Sequence, residues 1–266
     1  MRTIPKIAGL ATALALSVAG CGSDDGGGGS ENFNETAFAL SASGTGLVRL
    51  TDVQTSTPIT GLNAATALLG IDYRPSNATL YALGNDGQLY TLSTNGTAVA
   101  VGTPQPYGNM SAGIAFDFNA QPDAIRVVMT ADGRNFVTNA TTGVPAEFTT
   151  SAYNATDPNA GAAPAVVATA YTNNVAPFPA GGSTVQYSLE ANSGVLAIQG
   201  KNAGTLDTVA DLDIGIGNPT GFDISGETGT AYVLAGGDLF RIDLATAELF
   251  RLDVDASGLA DVTIVP

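Results

Sequence analysis

Short runs in which apolar and polar residues alternate, each closed by a turn-forming cluster, repeat along the chain. This period of two predicts strands joined by tight turns. The clearest stretch places alternating segments at residues 79–83, 88–92 and 98–101, separated by Asn85-Asp86-Gly87 and Thr94-Asn95-Gly96. Both separators are hairpin chemistry, because Asn, Asp and Gly tolerate positive φ. The same layout returns at residues 230–234, 238–242 and 248–252.

A second pattern sits above this one. An apolar lead run recurs as Leu69-Gly70-Ile71-Asp72-Tyr73-Arg74-Pro75, as Ile114-Ala115-Phe116-Asp117-Phe118-Asn119, and at residues 167–173. It returns as Thr220-Gly221-Phe222-Asp223-Ile224-Ser225 and at residues 260–266. Aligning Asp72, Asp117, Ala170, Asp223 and Thr263 gives spacings of 45, 53, 53 and 40 residues. Blade repeats of propellers run about 40–50 residues.

The two ends complement each other. Residues 36–60 supply three alternating segments without a lead run, and the C-terminus supplies a lead run without followers. The expected fold is therefore an all-β, five-bladed β-propeller with four-stranded antiparallel blades over residues 35–266. It is closed by the C-terminal strand joining the N-terminal blade, which removes an open edge. Turn spacing alone also allows a β-sandwich or an open array of hairpins.

Residues 1–20 read as an address. Arg2 and Lys6 precede an uncharged apolar stretch too short for a membrane span of about 20 residues, and it ends in small residues. Val18-Ala19-Gly20-Cys21 resembles the bacterial lipobox, in which the thiol carries the lipid and small residues admit the peptidase. The expectation is a lipoprotein signal peptide over 1–20, lipidation at Cys21, and a flexible lipidated tether over 21–34, rich in Gly and Ser. Gly22, rather than Asp, follows the cysteine. By resemblance to lipoprotein sorting in diderm bacteria, that points to the outer membrane of the cell envelope.

Composition then narrows the chemistry. The chain carries a net charge of −15 with nine basic residues and 24 acids. Loss of Arg2 and Lys6 with the leader would deepen this to −17. Such a surface repels nucleic acid, so the expected membrane contact is through the lipid alone. Cys21 is the one cysteine, which rules out an intrachain disulfide, and there is no histidine. Ser-His-Asp and Cys-His catalysis are thereby excluded within the chain.

Several separated stretches, in order, resemble the bacterial domain of unknown function 4394. They are Gly70-Ile71-Asp72-Tyr73-Arg74-Pro75 with Leu80-Tyr81-Ala82-Leu83, and Phe116-Asp117-Phe118-Asn119 with Asp123-Ala124-Ile125-Arg126-Val127-Val128. Asp157-Pro158-Asn159-Ala160-Gly161 with Ala170-Tyr171-Thr172-Asn173 continues the likeness. The resemblance implies a secreted, propeller-like domain. It implies no activity, and no functional residue is carried over from it.

Asp72, Asp117 and Asp223 share one register on lead strands, which line the channel of a propeller. With the side-chain carbonyls of Asn119 or Asn173 they could hold a hard cation such as Ca²⁺. The alternative is that each Asp hydrogen-bonds backbone between blades. Asn154, Asp157 and Asn159 lie in a long insertion, residues 152–163, and could form a second cation loop or an ordinary surface loop. Arg74 and Arg126 could hold an anionic group or pair with acids. The aromatic residues of the strands are expected to pack between blades. The leading functional expectation is a non-catalytic binding or interaction module, monomeric, with an envelope protein or small molecule as ligand. The alternatives are a metal-dependent hydrolase resembling propeller lactonases and a passive envelope component.

Overall fold

The structure is a computed structural model and describes residues 32–266. The leader, Cys21 and most of the tether lie outside the described residues.

Five sheets form a ring. The first blade holds β1 (Thr36–Ser41), β2 (Gly46–Arg49) and β3 (Asp52–Pro58). The second runs β4 (Leu68–Arg74), β5 (Thr79–Gly84), β6 (Leu89–Leu92) and β7 (Ala98–Val101). The third runs β8 (Ile114–Asn119), β9 (Ala124–Met129), β10 (Asn135–Asn139) and β11 (Pro145–Phe148). A short β12 (Ala152–Tyr153) precedes the fourth blade, which is β13 (Val166–Tyr171), β14 (Gln186–Glu190), β15 (Val195–Gln199) and β16 (Thr205–Asp211). The fifth is β17 (Thr220–Ile224), β18 (Ala231–Ala235), β19 (Asp238–Ile242) and β20 (Leu249–Asp255). The last strand, β21 (Leu259–Val265), returns to the first blade.

That closure has the register expected of an inner strand. β21 lies antiparallel to β1, with Thr36 opposite Val265, Phe38 opposite Thr263 and Ala39 opposite Val262. The edge that β1 would otherwise expose is covered by strand pairing, as the complementary ends required. The ring is closed by neighbouring inner strands, β4 beside β8, β8 beside β13, β13 beside β17, β17 beside β21 and β21 beside β4.

Local chemistry explains the hairpins. Gly87 and Gly96 take φ of 77° and 83°, the left-handed region that the Asn-Asp-Gly and Thr-Asn-Gly signals anticipate. Two lead-run glycines serve packing instead. A Cβ on Gly70 would lie 2.6 Å from Phe116 Cβ, and one on Gly221 would lie 2.8 Å from Val262 N. These positions let adjacent inner strands approach closely near the axis.

The fourth blade departs from the repeat. β12 adds to its outer edge in parallel with β16, Ala152 opposite Thr205, making five strands. The insertion expected as a loop therefore begins as an edge strand.

The apolar core is divided into five clusters, one between each pair of blades. Aromatic side chains do pack there. Tyr81 of the second blade meets Phe118 of the third edge to face, centroids 5.2 Å apart. The cluster between the third and fourth blades is built around Val128, Val166 and Leu206. The rest of that interface is polar, with Arg126, Asn135, Gln186, Ser188 and Gln199 all buried.

Candidate functional site

The inner strands bring Asp72, Asp117 and Asp223 to the axis, where one carboxylate oxygen of each lies within 4.8 Å of the others. All three are buried. Each also braces the ring. Asp72 Oδ2 accepts from Phe118 N at 2.6 Å, Asp117 Oδ1 from Tyr171 N at 3.0 Å, and Asp223 Oδ2 from Ile264 N at 2.5 Å. In every case the donor belongs to the inner strand of the next blade. A fourth carboxylate, Asp261, does the same, accepting from Ile71 N at 2.8 Å. Thr263 adds to the brace, donating to Asp72 Oδ1 and accepting from Tyr73 N. The step from β13 to β17 lacks such a bond, because Ala170 occupies that register.

Both sequence readings of these acids thus hold at once: they converge, and they bond to backbone between blades. Asp261 stands outside the aligned register, which Thr263 occupies in the last lead run. Residues two apart on a strand share a face, so Asp261 was visible in the same pattern.

The electrostatics follow from the burial. Desolvation, then the charge of Asp223, pushes Asp72 well above the ordinary carboxylate range. Desolvation and then Asp72 do the same to Asp117, and desolvation raises Asp261. Desolvation lifts Asp223 to about 6, against the opposing backbone bonds from Ile264 and Ile224. The hydrogen bonds these four accept come from backbone N–H groups and a threonine hydroxyl. Asp117 Oδ2 has no donor among the described residues.

Asn119 and Asn173 are placed otherwise. Asn119 Oδ1 accepts from Gln121 N and Thr184 Oγ1. Asn173 is exposed and donates to Ser183 O. The side-chain oxygen of Asn119 is thus engaged by hydrogen-bond donors rather than by a cation site, and the bond of Asn173 runs through its amide nitrogen. In the insertion, Asp157 accepts from Thr208 N, Thr208 Oγ1 and Asn159 N, and Asn159 donates to Thr208 Oγ1. These residues lash the insertion to β16. Arg74 forms a bidentate pair with Asp123 and also donates to Tyr81 OH. That pair holds Asp123 below the usual carboxylate range. Arg126 is different, with neutral partners only: Tyr171 OH, Asn135 Oδ1 and Asn202 Oδ1.

A cavity of about 640 Å³ opens where the inner strands begin. Leu68, Leu69, Met110, Ile114 and Pro219 form its apolar wall, and Asn85, Asn109, Ser111 and Asn218 supply amides and a hydroxyl. No charged side chain lines it. Asn85 and Asn109 use their carbonyl oxygens on Ala67 N and Ser111 N, which leaves their NH₂ groups available as donors. Sequence reasoning missed this mouth because its residues lie in four separate connections and carry no motif.

The model of the family described as "Domain of unknown function (DUF4394)" matches residues 46–260. The chain belongs to the DUF4394 family. No curated protein matches it in sequence. Among solved structures, a protein of unknown function from Bacteroides thetaiotaomicron VPI-5482 is similar at TM-score 0.53 and 11% identity, covering 89% of this chain and 67% of its own. A chain of a nidogen/laminin complex is similar at TM-score 0.51 and 13% identity, covering 87% and 98%. A virginiamycin B lyase from Staphylococcus aureus superposes at TM-score 0.42 and 11% identity, covering 84% and 68%. At such identities the first two likenesses are of fold, and they agree with a propeller for this DUF4394 member.

Proposed function

We propose that this DUF4394 propeller is a non-catalytic binding module of the cell envelope, monomeric and held at the outer membrane through lipid on Cys21. Its ligand is a small, uncharged, partly apolar molecule taken at the channel mouth. The observation that carries this reading is the mouth itself: a cavity with one apolar side and several amide donors, free of charge in a strongly acidic chain. A neutral lining neither repels nor demands a charged ligand, and it lacks the paired titratable groups that acid–base chemistry requires.

The entry of the chain supports the arrangement. Thr36 pairs with Val265, the end of β21 remote from the mouth. Phe33 packs on Tyr232, and Glu35 accepts from Thr228 Oγ1 beside the far end of β17. A tether leaving there lets the mouth face away from the bilayer. Titration with N-phenylnaphthylamine, an uncharged fluorophore, is expected to give saturable binding. Ser111→Arg, on the exposed rim, is expected to weaken it tenfold or more without changing the melting temperature. Equal binding by the variant would remove the mouth as the site.

The convergence of Asp72, Asp117 and Asp223 favours a second reading, a cation-dependent hydrolase. A span of 4.8 Å is one that a single Ca²⁺, with bonds of about 2.3–2.6 Å, can bridge. A cation there would supply Lewis acidity toward water, and Asp117 Oδ2 is the oxygen with no other donor to satisfy. This reading expects millimolar Ca²⁺ at pH 8 to raise the melting temperature by several degrees over EDTA, and Asp117→Asn to abolish the rise. Identical melts with and without calcium would leave the acids as inter-blade braces.

A further inference from the structure

A second cavity, of about 600 Å³, lies between the third and fourth blades, where Asn119 ends β8, away from the mouth. Arg126 stands in its wall, 3% exposed. Three of its five N–H donors go to the neutral oxygens of Tyr171, Asn135 and Asn202, which leaves one N–H on each terminal nitrogen. Its cross-strand partner Asp117 turns to Tyr171 N instead and forms no ion pair with it. Lys201 also lines the cavity, next to Asn202, the residue that accepts from Arg126, and forms no ion pair among the described residues. Burial and the charge of Arg126 both lower the pKa of that lysine. No Asp or Glu lines the cavity, although acids outnumber bases 24 to nine in the chain.

A buried guanidinium held by neutral groups, with a second cation facing the same space, is a charge arrangement completed by an anion. Pro122, Ile125, Val137 and Phe148 give the cleft an apolar wall, beside the polar side chains of Asn119, Gln121 and Asn202. We propose that this cleft binds an organic monocarboxylate with an apolar body, its two oxygens meeting the unused N–H groups of Arg126 and the ammonium of Lys201. The planar fork of Arg matches two carboxylate oxygens, and the apolar wall selects against a bare inorganic ion. This site is separate from the mouth, so either can fail without the other.

The test is calorimetric titration of the full chain with 2-naphthoate and with its uncharged isostere 2-naphthamide. Naphthoate is expected to bind at least tenfold tighter, with affinity falling as salt rises. Lys201→Met should weaken naphthoate about tenfold and leave naphthamide unchanged, while Lys201→Arg should retain binding. Lys201 is partly exposed on a short turn, so these variants are expected to fold; melting curves check this. Equal affinity for acid and amide, no binding of either, or full binding by Lys201→Met would overturn the proposal. Inorganic phosphate binding as tightly as naphthoate would overturn the choice of an apolar-bodied ligand.

Discussion

Deletion of residues 259–266 is expected to abolish the single cooperative unfolding transition of the propeller. β21 buries Leu259, Val262 and Ile264 and pairs along the whole of β1. Fully burying three such side chains contributes on the order of 5–9 kcal/mol, comparable with the entire stability of about 5–15 kcal/mol expected of a domain. The loss is wider than the strand itself. Asp223 would lose the Ile264 N–H, Asp72 would lose the Thr263 hydroxyl, and Ile71 N would lose Asp261. The inner edge of β1 would then face solvent unpaired. Circular dichroism melts and binding of a hydrophobic dye check this. A truncated chain melting within a few degrees of the parent would show that the ring does not depend on its closure.

Acidification from pH 8 to pH 5 is expected to stabilise the protein. A carboxyl that is easier to protonate folded than unfolded contributes stability at low pH and loses it as pH rises. For the channel acids the contribution is complete below the unfolded value of about 4. It disappears as pH passes the folded value, about 6 for Asp223, and the likewise raised values of Asp72, Asp117 and Asp261. Asp223 alone supplies on the order of 3 kcal/mol below about pH 4 and about half of that by pH 5, roughly 3–6 °C at pH 5 for a domain of this size. Below about pH 4 the sign reverses, because Asp123, held low by Arg74, loses its favourable partner on protonation. The melting temperature should therefore peak in mild acid when measured in EDTA. Asp117→Asn should raise the melting temperature at pH 8, since the amide oxygen can still accept from Tyr171 N while the charge is gone. A melting temperature that is flat or rising from pH 5 to pH 8 would contradict uncompensated burial of these groups.

Much of the architecture was legible because it rests on period and punctuation. Alternation, Asn-Gly and Asp-Gly turns and five lead runs are properties of neighbouring residues, and the shared register of Asp72, Asp117 and Asp223 follows from the repeat. Closure was legible for a related reason: a missing strand at one end and a surplus strand at the other admit few pairings. The parallel β12 was not, since two residues at an edge carry no pattern of their own.

The sequence by itself determined the ring, its number of blades and which acids stand on the inner strands, because those depend on local propensity repeated at blade length. Only the tertiary structure decided what those acids do. Whether a carboxylate meets a backbone N–H of the next blade, another carboxylate or both depends on how closely inner strands approach at the axis. Gly70 and Gly221 set that spacing across blades. The same holds for Arg126 and Lys201 and for the neutral mouth, where residues far apart in the chain share one cavity only once the ring has closed.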